Sequence, residues 1–231
     1  MRINYFSAMA FLILVDALQY LTFTRPNISY AVNIVAQYLQ TPREPHMQAV
    51  KRILRYIRGT LSYGLPLSRC VNPSLVAFAD ADWAGCPDTH CSTSGYCVFL
   101  GPNLISWSAK KQPTIFRSSS EAEYRAVAYT LAETVWLQRL LRDLGVFLWH
   151  SISIYCDNLN TTYLAANPIL HARTKHIELD HQFLREKVQS GDLDLVHISS
   201  DKQLADIFIK PLSPSRFLVL RLNLRIRPLN A

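Results

Sequence analysis

Apolar positions in the first third of the chain recur at the spacing of amphipathic helices. Between residues 17 and 62 they follow a period close to 3.6, and Pro26 and Pro42 interrupt the pattern. We therefore predict a mostly helical segment here. A basic stripe lies on the other face of the second of these predicted helices, formed by Lys51, Arg52, Arg55 and Arg58. Such a stripe is either a solvated face or a surface that contacts phosphates, and the pattern leaves both open.

The pattern changes to strands after a stretch with Ser and Pro, residues 67–74, which we interpret as a linker. Three short runs of strand-forming residues follow at 75–79, 95–100 and 104–108, and turn residues such as Gly85 separate them. Three consecutive short strands favour an antiparallel meander.

Helices and strands alternate in the second half of the chain. A long helical pattern runs from residue 119 to residue 144 and ends at Gly145. The remaining segments are, in order, a strand at 152–156, helices at 159–166 and 177–189, a strand at 193–198 and a helix at 203–208. Three strands followed by alternating helices and strands predict an α/β fold, with a mixed sheet that is covered by helices and contains at least one parallel crossover.

Composition excludes a disordered chain, since 49% of the 231 residues are apolar and only 18% are charged. The net charge of +7 is unevenly distributed. Residues 1–70 carry 8 basic and 2 acidic side chains, residues 71–210 carry 12 and 15, and residues 211–231 carry 4 and none. A mildly acidic centre thus lies between two basic flanks, which indicates a polyanionic partner.

Cysteines and the N-terminal residues bear on localisation. The five cysteines are odd in number and too sparse for a disulfide framework, so we expect reduced thiols in a cytosolic or nuclear protein. The apolar run at 8–15 follows Arg2 as in a signal peptide, but Asp16 closes it, whereas a spanning helix needs about 20 apolar residues. We expect no membrane segment and no secretion, and a signal peptide is the weaker alternative.

The candidate functional residues are four carboxylates at the edges of predicted elements: Asp80, Glu123, Asp157 and Asp206. Asp80 and Asp157 end predicted strands, where a residue that is unfavourable in a strand often serves a site. Glu123 lies one helical turn before Val127, on a face that continues as apolar core. Asp206 interrupts an otherwise apolar stretch.

Each acid also has a purely structural explanation. Asp157 could cap the helix that follows it, and Asp206 could be an exposed position on an amphipathic turn. Glu121 is better explained as the partner of Ser118 in a capping box, and residues two apart on a helix cannot both face one site. If the four acids converge, their repulsion raises the carboxyl pKa values unless cations are bound. Mg²⁺, which prefers oxygen ligands, would relieve that repulsion.

Seven runs of residues form a set that extends through the acidic centre. Two of them are Ala79-Asp-Ala-Asp-Trp-Ala-Gly85 and Arg117-Ser-Ser-Ser-Glu-Ala-Glu-Tyr-Arg-Ala126, and the others are 92–96, 105–112, 156–158, 172–178 and 203–212. This set resembles the ribonuclease H domain that closes the Pol polyprotein of Ty1/copia retrotransposons. A second set, at 17–26, 28–32, 49–56 and 59–60, is similar to the end of the reverse transcriptase in the same polyprotein.

The resemblance implies a ribonuclease H-like fold, with a five-stranded mixed sheet and flanking helices, preceded by a mostly helical reverse transcriptase remnant. It also implies hydrolysis of the RNA strand of RNA–DNA hybrids by two-metal-ion catalysis with Mg²⁺, or with Mn²⁺ in its place. Asp80 would bridge both ions, Glu123 and Asp157 would complete the site of one, and Asp206 would hold the other. The residues expected to contact the hybrid are Lys110, Lys111, Arg117, Ser119, Asn158, Lys175 and His176.

Departures from the family pattern restrict these expectations. No Tyr-x-Asp-Asp tetrapeptide occurs, so we expect no polymerase activity. Ile209 stands where the family usually has Thr, and the loop at 199–203 lacks the His with which cellular ribonucleases H assist product release. His176 is the candidate to replace that His, although a histidine packed at the start of a helix is the simpler explanation.

We accordingly expect four regions: the end of a reverse transcriptase at 1–66, the linker at 67–74, a ribonuclease H-like domain at 75–212 and a basic tail at 213–231. The first region should expose apolar helix faces that normally pack on its expected partner, the upstream reverse transcriptase portion. The main hypothesis is a ribonuclease H in the cytoplasm, within a virus-like particle, or in the nucleus, with an organelle as a further location. The alternative is a catalytically inactive remnant that keeps the fold and binds nucleic acid.

Overall fold

The computed structural model describes residues 5–86, 88–166 and 178–229. Its helices are α1 (Tyr5–Leu21), α2 (Ser29–Ala36), α3 (Glu44–Arg58), α4 (Ser119–Asp143), α5 (Leu159–Ala166), α6 (Glu178–Gln189), α7 (Asp206–Ile209) and α8 (Pro214–Asn223). Its strands are β1 (Tyr63–Gly64), β2 (Leu75–Asp82), β3 (Thr93–Leu100), β4 (Asn103–Lys111), β5 (Ile152–Cys156), β6 (Leu193–His197) and β7 (Arg227–Pro228). The chain divides into a helical unit, Met1–Pro66 with Leu212–Ala231, and a sheet unit, Leu67–Pro211.

The helical unit has a hydrophobic cluster of its own, formed between α1, α2 and α3. Phe11 and Val15 on α1 are fully buried there, together with Val32 on α2 and Val50 on α3. The apolar run at 8–15 that resembles a signal-peptide core thus contributes Phe11 and Val15 to this cluster. The predicted helical character of the first region is confirmed, with α1 starting well before residue 17.

The C-terminal segment 213–231, which we expected to be a basic tail, contains regular secondary structure. It contains α8, and its side chains Leu220, Leu224 and Ile226 are fully buried. Its strand β7 pairs with β1 in antiparallel orientation. Because these three side chains are buried and its short strand is paired with β1, this segment belongs to the fold of the helical unit.

The sheet unit contains five strands in the order β4-β3-β2-β5-β6. β2, β3 and β4 form the predicted antiparallel meander, and β5 and β6 run parallel to β2. The predicted α/β fold with a five-stranded mixed sheet is confirmed.

Helix α4 forms the crossover between β4 and β5 and packs against β2 and β3. Ala77 and Ala79 on β2 are fully buried in one cluster with Val127 and Leu131 on α4. Small side chains on the strand let the helix lie close to the sheet at the packing density of a protein interior. The acidic residue at position 123 is therefore carried by a helix whose position is fixed by the main core.

Strand β2 is longer than the pattern predicts. Its hydrogen-bonded pairing with β3 extends to the pair formed by Asp82 and Thr93, three residues beyond the predicted end at residue 79. Asp80 therefore lies inside a strand and not at its end.

All five cysteines are free thiols, and Cys86, Cys97 and Cys156 are buried. Among the helices in the described parts of the chain, none combines the length and the apolar content needed to cross a bilayer.

Candidate active site

Asp80 is placed by the pairing of β2 with both of its neighbours. The parallel pairing with β5 ends two residues before it, so Asp80 lies beside the point where Asp157 follows β5. The residue is only 2% exposed. Its Oδ1 accepts a hydrogen bond from Ala81 N–H at 2.7 Å, and its Oδ2 accepts one from Lys210 Nζ at 2.7 Å. Both oxygens of this buried carboxylate are therefore held in a fixed orientation.

Asp157 is held by two side chains from the segment after β6. Ser200 Oγ donates to its Oδ2 at 2.8 Å, and Gln203 Nε2 donates to its Oδ1 at 3.4 Å. Gln203 is fully buried and also donates to the Ala79 carbonyl oxygen at 3.0 Å. The Gln203 amide thus links β2 at Ala79 to the residue that follows β5 and keeps Asp157 close to Asp80.

The same Gln203 explains why α7 starts later than residue 203. Its Oε1 accepts a hydrogen bond from Ala205 N–H at 3.1 Å, and its own backbone is extended. The helix therefore begins only at Asp206.

Glu123 reaches the same edge of the sheet from α4. Its carboxylate, the Cys156 thiol and the Asp157 carboxylate offer ligand atoms that lie within 4.8 Å of one another. Glu121 forms one half of the predicted capping box at the start of the helix, because its N–H donates to Ser118 Oγ at 3.3 Å. Its carboxylate accepts a hydrogen bond from the backbone N–H four residues earlier at 3.1 Å. Of the two glutamates, Glu123 is the one that faces the cluster of acids.

Asp206 is brought to the cluster by α7. Lys210 bridges it to Asp80, with its Nζ 2.8 Å from Asp206 Oδ1 and 2.7 Å from Asp80 Oδ2. Gly95 on β3, which pairs with Asp80, allows α7 to lie against the sheet. A Cβ atom at Gly95 would lie only 2.5 Å from Ile209 Cγ2. A side chain at position 95 would therefore displace α7, and Asp206 with it.

Burial and mutual repulsion make the ionised form of these acids unfavourable. Burial raises the pKa of Asp80 to about 8, against the opposing effect of Lys210 and with a further contribution from Asp157. Burial also raises the pKa of Glu123 to about 7, and Asp157 adds to that rise. Burial alone would lower the pKa of Lys210, but Asp80 and Asp206 hold it above its ordinary value. The Lys210 ammonium therefore stays charged and offsets only part of the negative charge.

The donor set fits hard divalent cations. Carboxylate oxygens are the ligands that Mg²⁺ and Mn²⁺ prefer, and four such side chains converge here: Asp80, Glu123, Asp157 and Asp206. The Cys156 thiol is fully buried, and burial raises its pKa well above the ordinary value. It donates toward Glu123 Oε2 at 3.9 Å. Because a protonated thiol is a poor metal ligand, the carboxylates are the residues that could hold such an ion.

The residues expected to contact a nucleic acid lie in several environments. Lys110, Arg117 and Ser119 are exposed. Lys111 instead donates from Nζ to the sulfur of Cys86 at 2.9 Å. Burial would raise the pKa of the Cys86 thiol, but this hydrogen bond and those from Thr89 and Asp88 together lower it to about 7.

Asn158 has a structural role at the edge of the site. Its Oδ1 accepts a hydrogen bond from Thr161 N–H at 3.2 Å, which caps α5, and its Nδ2 donates to Ser120 Oγ at 3.4 Å. It therefore links the start of α4 to the start of α5. The remaining two expected contacts, Lys175 and His176, lie outside the described residues.

The sequence pattern assigns no role to Gln203 or Lys210, although both lie in the recognised run 203–212. A signal for Lys210 is its spacing, since it follows Asp206 by four residues, one helical turn. Gln203 carries no such signal, because the Ala79 carbonyl that it contacts is 124 residues away in the chain.

No protein-family model matches the chain. The chain is 53% identical over 204 residues to the retrovirus-related Pol polyprotein from transposon RE1 of Arabidopsis thaliana. That match covers 88% of this chain and 14% of the relative, so the chain spans about a seventh of the relative's length.

Two solved structures are similar to the chain. The foamy viral protease-reverse transcriptase in complex with an RNA/DNA hybrid has a TM-score of 0.50 at 11% identity, over 81% of this chain and 23% of that one. The LC11 ribonuclease H1 isolated from compost has a TM-score of 0.46 at 16% identity, over 59% of this chain and 92% of that one.

Proposed function

The chain belongs to the family of Pol polyproteins of copia-type retrotransposons, and from this membership we propose that its sheet unit acts as a ribonuclease H. In this proposal the unit hydrolyses the RNA strand of RNA–DNA hybrids. The observation that carries it is the convergence of four acids from β2, α4, the end of β5 and α7. Asp80 and Asp206 lie within 2.7 Å and 2.8 Å of one ammonium group, and Glu123 and Asp157 offer ligand atoms within 4.8 Å of each other.

The proposed roles follow the positions of these four side chains. Asp80, whose ionisation is affected by Lys210, Asp157 and Glu123, would serve both of two divalent ions, Glu123 and Asp157 would hold one of them, and Asp206 the other. Bound divalent ions supply Lewis-acid stabilisation of the attacking and leaving oxygens in a phosphodiester displacement. The protein contributes orientation: Ala81 N–H positions the Asp80 carboxylate, and Ser200 and Gln203 position that of Asp157.

The proposed substrate is an RNA–DNA hybrid, recognised by its shape and by its 2′-hydroxyl groups rather than by base sequence. Exposed Lys110 and Arg117 on the sheet unit provide positive charge for phosphate contacts. The complex of the foamy viral protein with an RNA/DNA hybrid supports this substrate class by analogy.

For the helical unit we propose the end of a reverse transcriptase whose partner is the upstream portion of the polyprotein. The chain spans 14% of the RE1 relative, which leaves room for such a portion. The unit also leaves Ile13 and Tyr20 on α1 62% and 79% exposed, as a surface that another part of the polyprotein could cover. A Tyr-x-Asp-Asp tetrapeptide is missing from the sequence, so we expect no polymerase activity of this chain.

A cleavage assay tests the proposed activity. The full chain is incubated with an RNA–DNA hybrid, labelled on its RNA strand, in Mg²⁺ or Mn²⁺, and the products are resolved on a gel. We expect cutting that stops with a chelator and is lost in Asp80→Asn. The matched control is Asp143→Asn, which removes an exposed acid at the end of α4 and should cut normally. Equal cutting by the Asp80→Asn and wild-type proteins would overturn the proposal.

A catalytically inactive, nucleic-acid-binding remnant is the second candidate, and the basic stripe on α3 favours it. Lys51, Arg52, Arg55 and Arg58 are all exposed. A filter assay would then show retention of the hybrid that weakens steeply with salt, with the RNA strand intact.

A further inference from the structure

Lys210 is held between two buried carboxylates. Its Nζ lies 2.7 Å from Asp80 Oδ2 and 2.8 Å from Asp206 Oδ1, and the side chains of these acids are 3% and 10% exposed. The lysine side chain itself is 37% exposed. Part of it therefore lies at the surface, while its Nζ contacts the buried carboxylates. Charge-assisted hydrogen bonds of this length are among the stronger polar contacts in proteins.

The backbone fixes this arrangement. Lys210 N–H donates to the Asp206 carbonyl oxygen at 3.0 Å, and the residue then turns to an extended conformation. Pro211 favours that conformation in the residue before it. Phe208 and Ile209 are fully buried and anchor the turn of helix from which the lysine extends. The ammonium group of Lys210 is thus positioned by a segment that is anchored in the core.

Of the two acids that Lys210 joins, Asp80 is proposed to serve both divalent ions and Asp206 to hold one of them. The lysine therefore places a positive charge in direct contact with the oxygens to which a divalent cation would be drawn. Two cations that share the same carboxylates repel each other, and the repulsion is strong where burial excludes water. The lysine and the metal are competitors for Asp80 and Asp206.

We propose that Lys210 is a tethered cation that holds Asp80 and Asp206 together when no divalent ion is bound, and that it lowers the affinity of the site for such ions. This inference rests on the proposed function, because it takes the two acids as metal ligands. Lys210 is a positioning residue in this scheme. Its effect is on metal affinity and on the stability of the protein without metal, and both can be measured without substrate.

The test measures Mn²⁺ binding to the full chain by electron paramagnetic resonance, without nucleic acid, and melting in a chelator. We expect Lys210→Met to bind Mn²⁺ about tenfold more tightly than the wild type and to melt at a lower temperature in the chelator at pH 8. Lys210→Arg keeps the charge and can grip both carboxylates, so it should bind Mn²⁺ more weakly than the wild type. The control is Lys202→Met, which removes an exposed lysine of the same unit and should change neither quantity.

The outcomes separate this inference from the proposed function. Equal or weaker Mn²⁺ binding by Lys210→Met would overturn the role of Lys210 and leave the metal site intact. If Lys210→Met does not fold, equal or tighter binding by Lys210→Arg has the same meaning. Failure of the wild type and of both variants to bind Mn²⁺ at millimolar concentration would overturn the metal site and this inference with it.

Discussion

The single residue Glu123 illustrates how a buried acid close to another acid destabilises the folded protein. Its pKa is raised from 4.5 to about 7, first by burial and further by Asp157. The folded protein therefore binds a proton on this group more tightly than the unfolded chain does. The resulting stability is fully present below pH 4.5 and is lost as the pH rises through about 7.

The first prediction concerns Glu123→Gln. Without divalent ions, the wild-type sheet unit should become less stable as the pH rises from about 5 to about 8, and the variant should lose less. At pH 8 we expect the variant to be more stable by about 1–3 kcal/mol. Urea unfolding in a chelator at both pH values measures this, with Glu121→Gln as the control for a helix-start glutamate. Identical pH dependence in Glu123→Gln and the wild type would show that ionisation of Glu123 does not cause the loss of stability.

The four candidate acids could be predicted from the sequence, but the residues that contact them could not. Four acids are recognisable because an acidic residue is unfavourable in a strand or in an apolar stretch of helix. They are Asp80, Glu123, Asp157 and Asp206. That Lys210 lies against two of them depends on a contact between residues 130 apart in the chain. No local sequence pattern indicates a contact between residues so far apart in the chain. The resemblance to a family also assigned Lys210 no role.

The elements around the site are positioned by β3 as much as by the acidic segments. Gly95 lies opposite Asp80, and its missing side chain leaves the space that Ile209 of α7 fills. The prediction of a strand here is correct in kind, but β3 starts at Thr93 and not at residue 95. The need for glycine could not be read from the sequence, since α7 is remote in the chain and the strand conformation alone does not demand it.

The second prediction is that Gly95→Ala damages the site through α7. The added Cβ would overlap Ile209, so we expect a loss of about 1–3 kcal/mol in unfolding free energy together with weaker Mn²⁺ binding. Urea unfolding and electron paramagnetic resonance measure the two effects. The control is Gly59→Ala at the end of α3, where the nearest atom to a new Cβ is 3.6 Å away. Unchanged Mn²⁺ affinity in Gly95→Ala would show that α7 does not depend on this contact.

At the scale of the whole molecule, the two units are drawn from different parts of the sequence. The helical unit combines the first 66 residues with the segment after residue 211, and the sheet unit lies between them in the chain. Charge suggested a basic tail for the final segment. Its fold was missed because a short strand pair and three buried side chains give no long periodic pattern.

The third prediction is that truncation after Pro211 affects the units unequally. Removal of 212–231 takes away Leu220, Leu224 and Ile226, so the helical unit should lose most of its protection against hydrogen exchange. The sheet unit should keep its protection and its Mn²⁺ affinity, because its core lies within 67–211. Removal of only residues 230 and 231 is the control. Loss of protection throughout the sheet unit would contradict the division.

The Gln203 and Lys210 contacts have a further consequence, for the order in which the protein folds. The hydrogen bonds to Ala79 and Asp80 close loops of 124 and 130 residues, whereas the β2–β3 hairpin closes a short one. Long loops cost more entropy to close, so we expect the sheet to form before α7 docks. Pulse-labelling hydrogen exchange during refolding should protect the hairpin amides first, and simultaneous protection of α7 would contradict this order. A growing or interrupted chain that stops before residue 203 could then possess the sheet and three of the acids, yet would lack Asp206, Lys210 and the Gln203 amide that holds Asp157.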